Sequence, residues 1–88
     1  MKPTLQNLYQ LQAVLEDVPK LLTVYRKSQR ITQEELANEL GLTANSISAD
    51  EQGRYQNAGL DRLLQVINAL IRLSNRKTTE ENKHEPLN

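Results

Sequence analysis

The stretch Ile31–Gly53, ITQEELANELGLTANSISADEQG, decides the fold. Thr32 is a good helix N-cap, and Glu35 stands three residues later. That is the spacing of a capping box, in which each side chain satisfies the other residue's backbone amide. Leu36, Ala37 and Leu40 then fall on one helical face. Gly41 follows where the chain must leave a helix through the left-handed region, which glycine enters without steric cost. Leu42 is apolar, and Thr43 can cap a second helix. Ile47 would pin that helix to the first, and Ala37 is small where the two would cross closely. The stretch reads as a helix over 33–40, a tight turn and a helix over 44–51.

Two short helices in this relation make a helix-turn-helix, whose second helix has the size and exposure to enter a DNA major groove. The ordered set Thr32-Gln33, Glu35-Leu36-Ala37, Leu40-Gly41, Ser46-Ile47-Ser48 and Glu51-Gln52-Gly53-Arg54 resembles the Cro and phage-repressor helix-turn-helix family, also called XRE. The resemblance runs from about Asp17 to Leu70. Capped helices with a glycine turn are common, so no single piece is specific; the whole ordered set is. It implies an all-α fold, a compact helical bundle holding a lambda-repressor-like DNA-binding domain.

Outward from the motif, the apolar pattern completes a bundle of about five helices. Leu5, Leu8, Leu11, Leu15 and Val18 make a stripe on a first helix over about 4–16, an addition to the minimal family domain. Asp17 and Pro19 mark a break, with Asp17 able to cap a new helix and Pro19 in its first turn. That helix runs to about Ser28 with Leu21, Leu22 and Tyr25 facing inward. Residues 53–59, GRYQNAG, are rich in turn formers. Leu60, Leu63, Leu64, Ile67 and Leu70 define a last helix. Beyond Leu70 the alternation of apolar and polar residues fits a short strand or a frayed helix end, and from Thr78 the chain is polar with little to bury. The organisation is therefore an N-terminal amphipathic helix (1–16), the helix-turn-helix domain (17–73) and a polar flexible tail (74–88).

Composition narrows the function classes. Eighty-eight residues make one small domain with a modest core, for which a dimer interface is a plausible source of further stability. There is no cysteine, so neither a disulfide nor a thiolate metal site is possible, and a single histidine, His84, excludes a histidine-rich one. His84 reads as a solvated tail residue. The expectation is no cofactor, no small-molecule substrate and no enzymatic activity, since no nucleophile–base set, paired-carboxylate cleft or glycine-rich phosphate loop is present. No apolar run has the length of a signal peptide or a membrane span, so a cytoplasmic protein without membrane contact is expected.

Net charge is zero, with 11 Lys and Arg against 11 Asp and Glu. DNA-binding domains are usually basic, because neutralising phosphates drives affinity. Residues 31–60 hold one base, Arg54, against Glu34, Glu35, Glu39, Asp50 and Glu51. The flanks are basic: Lys20, Arg26, Lys27 and Arg30 on one side, Arg62, Arg72, Arg76 and Lys77 on the other. Phosphate contacts would have to come from these flanks and from neutral donors, with a single subunit binding weakly and a dimer needed.

The second motif helix would present Thr43, Ala44, Asn45, Ser48 and Ala49 to base edges. Asn45 can pair bidentately with adenine, Ser48 can donate or accept, and the two alanines offer a methyl to thymine. Lacking Arg, Lys or Gln in its first two turns, this helix would leave part of the specificity to DNA shape. Ser46 would turn toward the neighbouring helix or a phosphate. The family resemblance implies that Gln33 touches a phosphate and braces the recognition helix, and that Arg54 lies in a loop against the DNA backbone. Tyr55 there is either a phosphate donor or a ring packed on the bundle. The same resemblance pairs Arg26 with Glu51, a structural ion pair between two helices. Two positions depart from the family pattern. Arg30 stands where glycine commonly ends the preceding helix, so either the turn differs or Arg30 is strained there, free to serve as a further phosphate contact. Asp50 stands where an apolar residue is usual, and is expected exposed or paired, because a buried lone carboxylate is costly.

The reading is thus a sequence-specific repressor acting as a homodimer on an inverted-repeat operator in double-stranded DNA, since one recognition helix reads only a few base pairs. Leu5, Leu8, Leu11 and Leu15, with Leu70, Ile71 and Leu73, are the apolar surfaces available for a dimer or partner; for the first stripe, packing on its own bundle is the equal alternative. Size and layout are similar to HipB-type and other XRE-type antitoxins, which implies an autoregulating antitoxin with a cognate toxin held by the N-terminal helix or residues 71–88. A free-standing phage or plasmid repressor fits nearly as well. The contrasting possibility is a protein-interaction module with degenerate DNA binding, distinguished by salt dependence.

Overall fold

The computed structural model describes residues 2–84. They form four helices: α1 (Leu5–Ser28), α2 (Gln33–Leu40), α3 (Ala44–Gln52) and α4 (Leu60–His84). No strand occurs among the described residues. The all-α class stands, with four helices in place of about five.

The motif follows its local signals closely. Thr32 Oγ1 accepts from the Glu35 amide at 3.0 Å, and Glu35 Oε1 accepts from the Thr32 amide at 2.9 Å. Gly41 ends α2 at φ 71°, and Thr43 Oγ1 accepts from the Ser46 amide to open α3. Leu36, Ala37 and Ile47 are buried together, joined by Leu22, Ile31, Val66, Ala69 and Leu70 in one core. Leu40, Leu42 and Leu63 pack around its edge.

Three helix ends close in the same way. The amide of Ile31 donates to the Arg26 carbonyl, that of Leu42 to Ala37, and that of Tyr55 to Asp50. Each is the long bond of a Schellman closure, in which one residue turns left-handed and the next, apolar one drops into the core. The left-handed residue is Arg30 (φ 57°), Gly41 (φ 71°) and Arg54 (φ 54°) in turn, and Tyr55 follows at φ 55°. The strain foreseen for Arg30 is real, and Arg54 shares it.

The long helices differ from the sequence reading. No break occurs at Asp17–Pro19: α1 runs through Pro19 for 24 residues. Proline removes one backbone bond, here to the Leu15 carbonyl. Leu15 is exposed, so water can replace that partner, and helix formers stand on both sides. Leu22 faces inward as expected, but Leu21 is exposed and Tyr25 lies at the surface, its hydroxyl 2.7 Å from Ser74 Oγ. In α4 the core face is rotated. Val66, Ala69, Leu70 and Leu73 are buried, while Leu60 and Leu64 are exposed. Leu70 and Leu73 are therefore core residues and are withdrawn as partner-contact candidates; Ile71 remains exposed. The strand or frayed end expected after Leu70, and the first part of the polar tail, are helical through His84. The side chain of His84 and residues 85–88 lie outside the described residues.

Leu5, Leu8, Leu11 and Leu15 are 54–65% exposed, so the stripe does not pack on its own bundle. The N-terminal half of α1 projects from the core. The radius of gyration is 15.9 Å, against about 12 Å for a compact domain of this length.

Candidate nucleic-acid interface

One buried ion pair ties α1 to α3 in this region. Arg26 on α1 grips Glu51 near the end of α3 through two bonds, Nε to Oε2 at 2.6 Å and Nη2 to Oε1 at 2.9 Å. Its remaining guanidinium nitrogen, Nη1, donates to the Ile31 carbonyl at 2.8 Å. Both side chains are 8% exposed. Gln33, the first residue of α2, adds its amide to Glu51 Oε1 at 3.0 Å. The N-terminus of α2 and the C-terminus of α3 are thereby held side by side. This bond links Gln33 to the last turn of α3, the helix it is expected to brace.

The acidic excess of the motif is answered by α4. Arg62 pairs with Asp50 at 2.7 Å, which resolves the departure at position 50. Arg72 and Arg76 both donate to Glu39, and Lys77 lies 3.3 Å from Glu35. Hydrogen bonds from Arg72 and Arg76 hold the Glu39 carboxyl below its usual range. The Thr32 backbone amide, then Lys77, does the same for Glu35 against the cost of burial. Such exposed pairs add little stability. Their consequence is electrostatic: of the five motif acids, only Glu34 has no cation partner among the described side chains.

The same pairing changes the expected source of phosphate contacts. The α4 cations, counted as free from sequence, are committed within the chain. Arg30 and Arg54 are exposed and in no ion pair among the described residues. They stand just before α2 and just after α3, at the end that Gln33 and Glu51 hold together. Tyr55 is not at this surface. It is 4% exposed, and its hydroxyl has no hydrogen-bond partner among the described residues. It packs its ring on the bundle and is withdrawn as a phosphate donor. Burial, reinforced by the charges of Glu51 and Asp50, pushes its hydroxyl up to about 12.

On α3, Thr43, Asn45 and Ala49 are exposed, and Ala44, Ser46 and Ser48 are half-buried. Thr43 and Ser46 share a hydroxyl bond at 3.0 Å, and Ser48 accepts from Gln52 Nε2 at 3.3 Å. Asn45 is exposed, and its side-chain amide makes no hydrogen bond among the described residues. Gln52, exposed beside Ser48, was not singled out from sequence; its position one turn after Ser48 was the available signal.

Two capped helices crossing at Ala37 and Ile47, with an outward second helix and a cationic end, define a helix-turn-helix DNA-binding domain. Residues 24–72, more than half of the chain, match the helix-turn-helix family model. The chain belongs to that family, of the XRE or Cro/phage-repressor type, a class of DNA-binding transcription regulators. No curated protein and no solved structure matches it. Among the described residues, no helix is long and apolar enough to cross a membrane.

Proposed function

We propose that the protein is a sequence-specific repressor that binds an inverted-repeat operator as a homodimer. The observation that carries this is the pair of arginines at the ends of the motif. Arg30 and Arg54 both occupy left-handed backbone where glycine is preferred, at a cost of about 1–2 kcal/mol each. Neither side chain is in an ion pair among the described residues. A cation kept at a strained, unpaired position supports a role in binding rather than folding. In this reading Arg30, Arg54 and Ser46, with Gln33 and the positive end of α2, contact phosphates. Asn45 carries base readout, and Thr43, Ala44, Ser48 and Ala49 fill the groove around it. The narrower form is an autoregulating antitoxin with a cognate toxin, supported by layout alone.

The test is binding to a labelled fragment of the upstream region across a salt series. Tight binding should weaken steeply as salt rises. Arg30→Gly and Arg54→Gly should each reduce the salt slope by about 1, and each should raise folding stability by about 1 kcal/mol as the left-handed strain is relieved. Opposite signs on binding and stability separate this role from a structural one. Asn45→Ala should cost about 1–3 kcal/mol at one base position and little elsewhere. Absence of binding at low salt by a folded dimer would sink the repressor and leave a protein-contact module. Co-expression with the product of the adjacent gene, followed by toxicity and pull-down, tests the antitoxin form.

A further inference from the structure

The fold leaves one extended apolar surface uncovered, and it is made by both long helices. Residues 18–25 of α1 lie against 67–74 of α4, with the Tyr25 hydroxyl 2.7 Å from Ser74 Oγ. Between them runs an open groove of about 280 Å³, lined by Val18, Leu21, Leu22, Tyr25, Ile67 and Ile71, with Leu70 beneath. Each helix carries a largely exposed apolar seam along it, with Val18 and Ile67 its partly buried members. On α1 the seam is Val14, Val18, Leu21 and Tyr25; on α4 it is Leu60, Leu64, Ile67 and Ile71. Both are spaced by four, three and four residues, the repeat that lets helices pack knobs into holes. On the projecting half of α1, Leu8, Leu11 and Leu15 are exposed as well, on the face that carries Leu22 further along the helix.

A quarter of the chain is charged, yet neither seam contains a charge. On α4, Arg62, Arg72, Arg76 and Lys77 lie on the other faces, turned toward α2 and α3. Removal of charge from the centre of a surface is the compositional mark of an interface.

We infer that this two-helix face is the homodimer interface, closed by a second copy of the chain so that two α1 and two α4 helices form a four-helix bundle. Three points favour a second copy over another occupant. A face that carries the same heptad spacing on both of its helices can pack its knobs into the holes of its own copy about a two-fold axis. Its exposed side chains, each about half accessible, present on the order of 800 Å² per protomer, the size of a standard stable interface. And the projecting first half of α1 is a helix of about three turns whose side chains are all exposed, a length that is marginal alone in water and that a partner chain would support. The face lies across α4 from the motif, so α3 stays open in the dimer. This inference deepens the homodimer part of the proposed function without depending on DNA binding.

Sedimentation equilibrium on the full chain tests it. At about 100 µM, well above the micromolar Kd expected at worst for such an area, the wild type should run at twice its 10.1 kDa chain mass. Leu21→Glu and Leu64→Glu, at sites exposed in the monomer, should each give a folded monomer, with affinity lowered at least 100-fold. Asn38→Glu on α2, away from the face, should remain dimeric. A monomeric wild type overturns the inference, as does a dimer that survives both seam substitutions. If either variant loses helicity, hydrogen exchange on the wild type decides: amides of 8–18 should gain protection with concentration, and concentration-independent exchange there overturns the inference. A dimer that ignores DNA leaves this interface standing and removes the repressor; a monomer that binds DNA does the reverse.

Discussion

The helix-turn-helix and the two long helices beside it belong to one core, yet they were legible in the sequence to very different degrees. Both motif helices lie at their expected bounds, within one residue. Their starts and stops are local chemistry: a threonine hydroxyl, a glutamate three residues on, a glycine that tolerates positive φ. The long helices have no such punctuation where it mattered. Asp17 and Pro19 read as a break that α1 runs through, and the apolar stripe that marks α4 mixes residues of two faces. Local signals are decided within a turn of helix, whereas the face a long helix buries is decided by what lies against it.

The largest effect expected from testing that contrast comes from the residue that joins the two regions. Arg26→Ala leaves the Glu51 carboxylate buried without its cation, and should cost about 3–5 kcal/mol in urea unfolding followed by circular dichroism. In a domain of this size that unfolds much of the population. A loss below about 1 kcal/mol would mean that water reaches Glu51, and that the motif is fixed to α1 by apolar packing alone.

Next come the leucines. Leu36→Ala, at a position with no exposed surface, should cost about 2–5 kcal/mol. Leu60→Ala, in the apolar stripe that marks the last helix, should stay within about 0.5 kcal/mol in the monomer. The sequence stripe Leu60, Leu63, Leu64, Ile67 and Leu70 mixes two faces. Val66, Ala69 and Leu70 turn to the motif; Leu60, Leu64 and Ile71 turn away. A helix with apolar residues on two sides yields an averaged direction when its periodicity is read for one buried face. The candidate site shows the same limit. The Arg26–Glu51 pair and the roles open to Asp50 were readable from a resemblance. The capture of α4's cations by Glu35, Glu39 and Asp50 was not, because those partners are 12 to 42 positions apart in sequence and meet only in the fold.

The two capping boxes give a smaller and more discriminating comparison. Thr32 caps the motif, and Thr4 caps the projecting arm with Asn7 as its reciprocal partner. Each threonine replaced by alanine removes about 1 kcal/mol from its own helix. For Thr32→Ala that loss should appear in full in the urea midpoint at any protein concentration, because α2 is part of the global unit. For Thr4→Ala it should vanish at low concentration, where the arm frays freely, and emerge as the protein dimerises. Equal shifts for both at all concentrations would show that the arm is already coupled to the core of a single chain.

The smallest expected effect concerns Tyr55, where the motif hands over to α4. Its ring is buried, its backbone is left-handed and its hydroxyl has no partner among the described residues. A buried donor without an acceptor is a loss that Tyr55→Phe removes, so the substitution should be neutral or stabilising by up to about 1 kcal/mol at neutral pH. Alkali separates the hydroxyl from the ring. Because the folded hydroxyl is raised from 10.0 to about 12, the contribution of its neutral form is whole below pH 10 and is lost as the pH climbs through about 12. Wild-type stability should therefore fall more steeply than that of the Phe variant over this window, as read from urea midpoints at pH 9, 10 and 11. If Tyr55→Phe instead costs more than about 1 kcal/mol at pH 7, the hydroxyl is making a bond that matters. Tyr55 would then belong with Arg26 as a polar tie between motif and flank, rather than with Ile31 and Leu42 as the apolar plug of a helix closure.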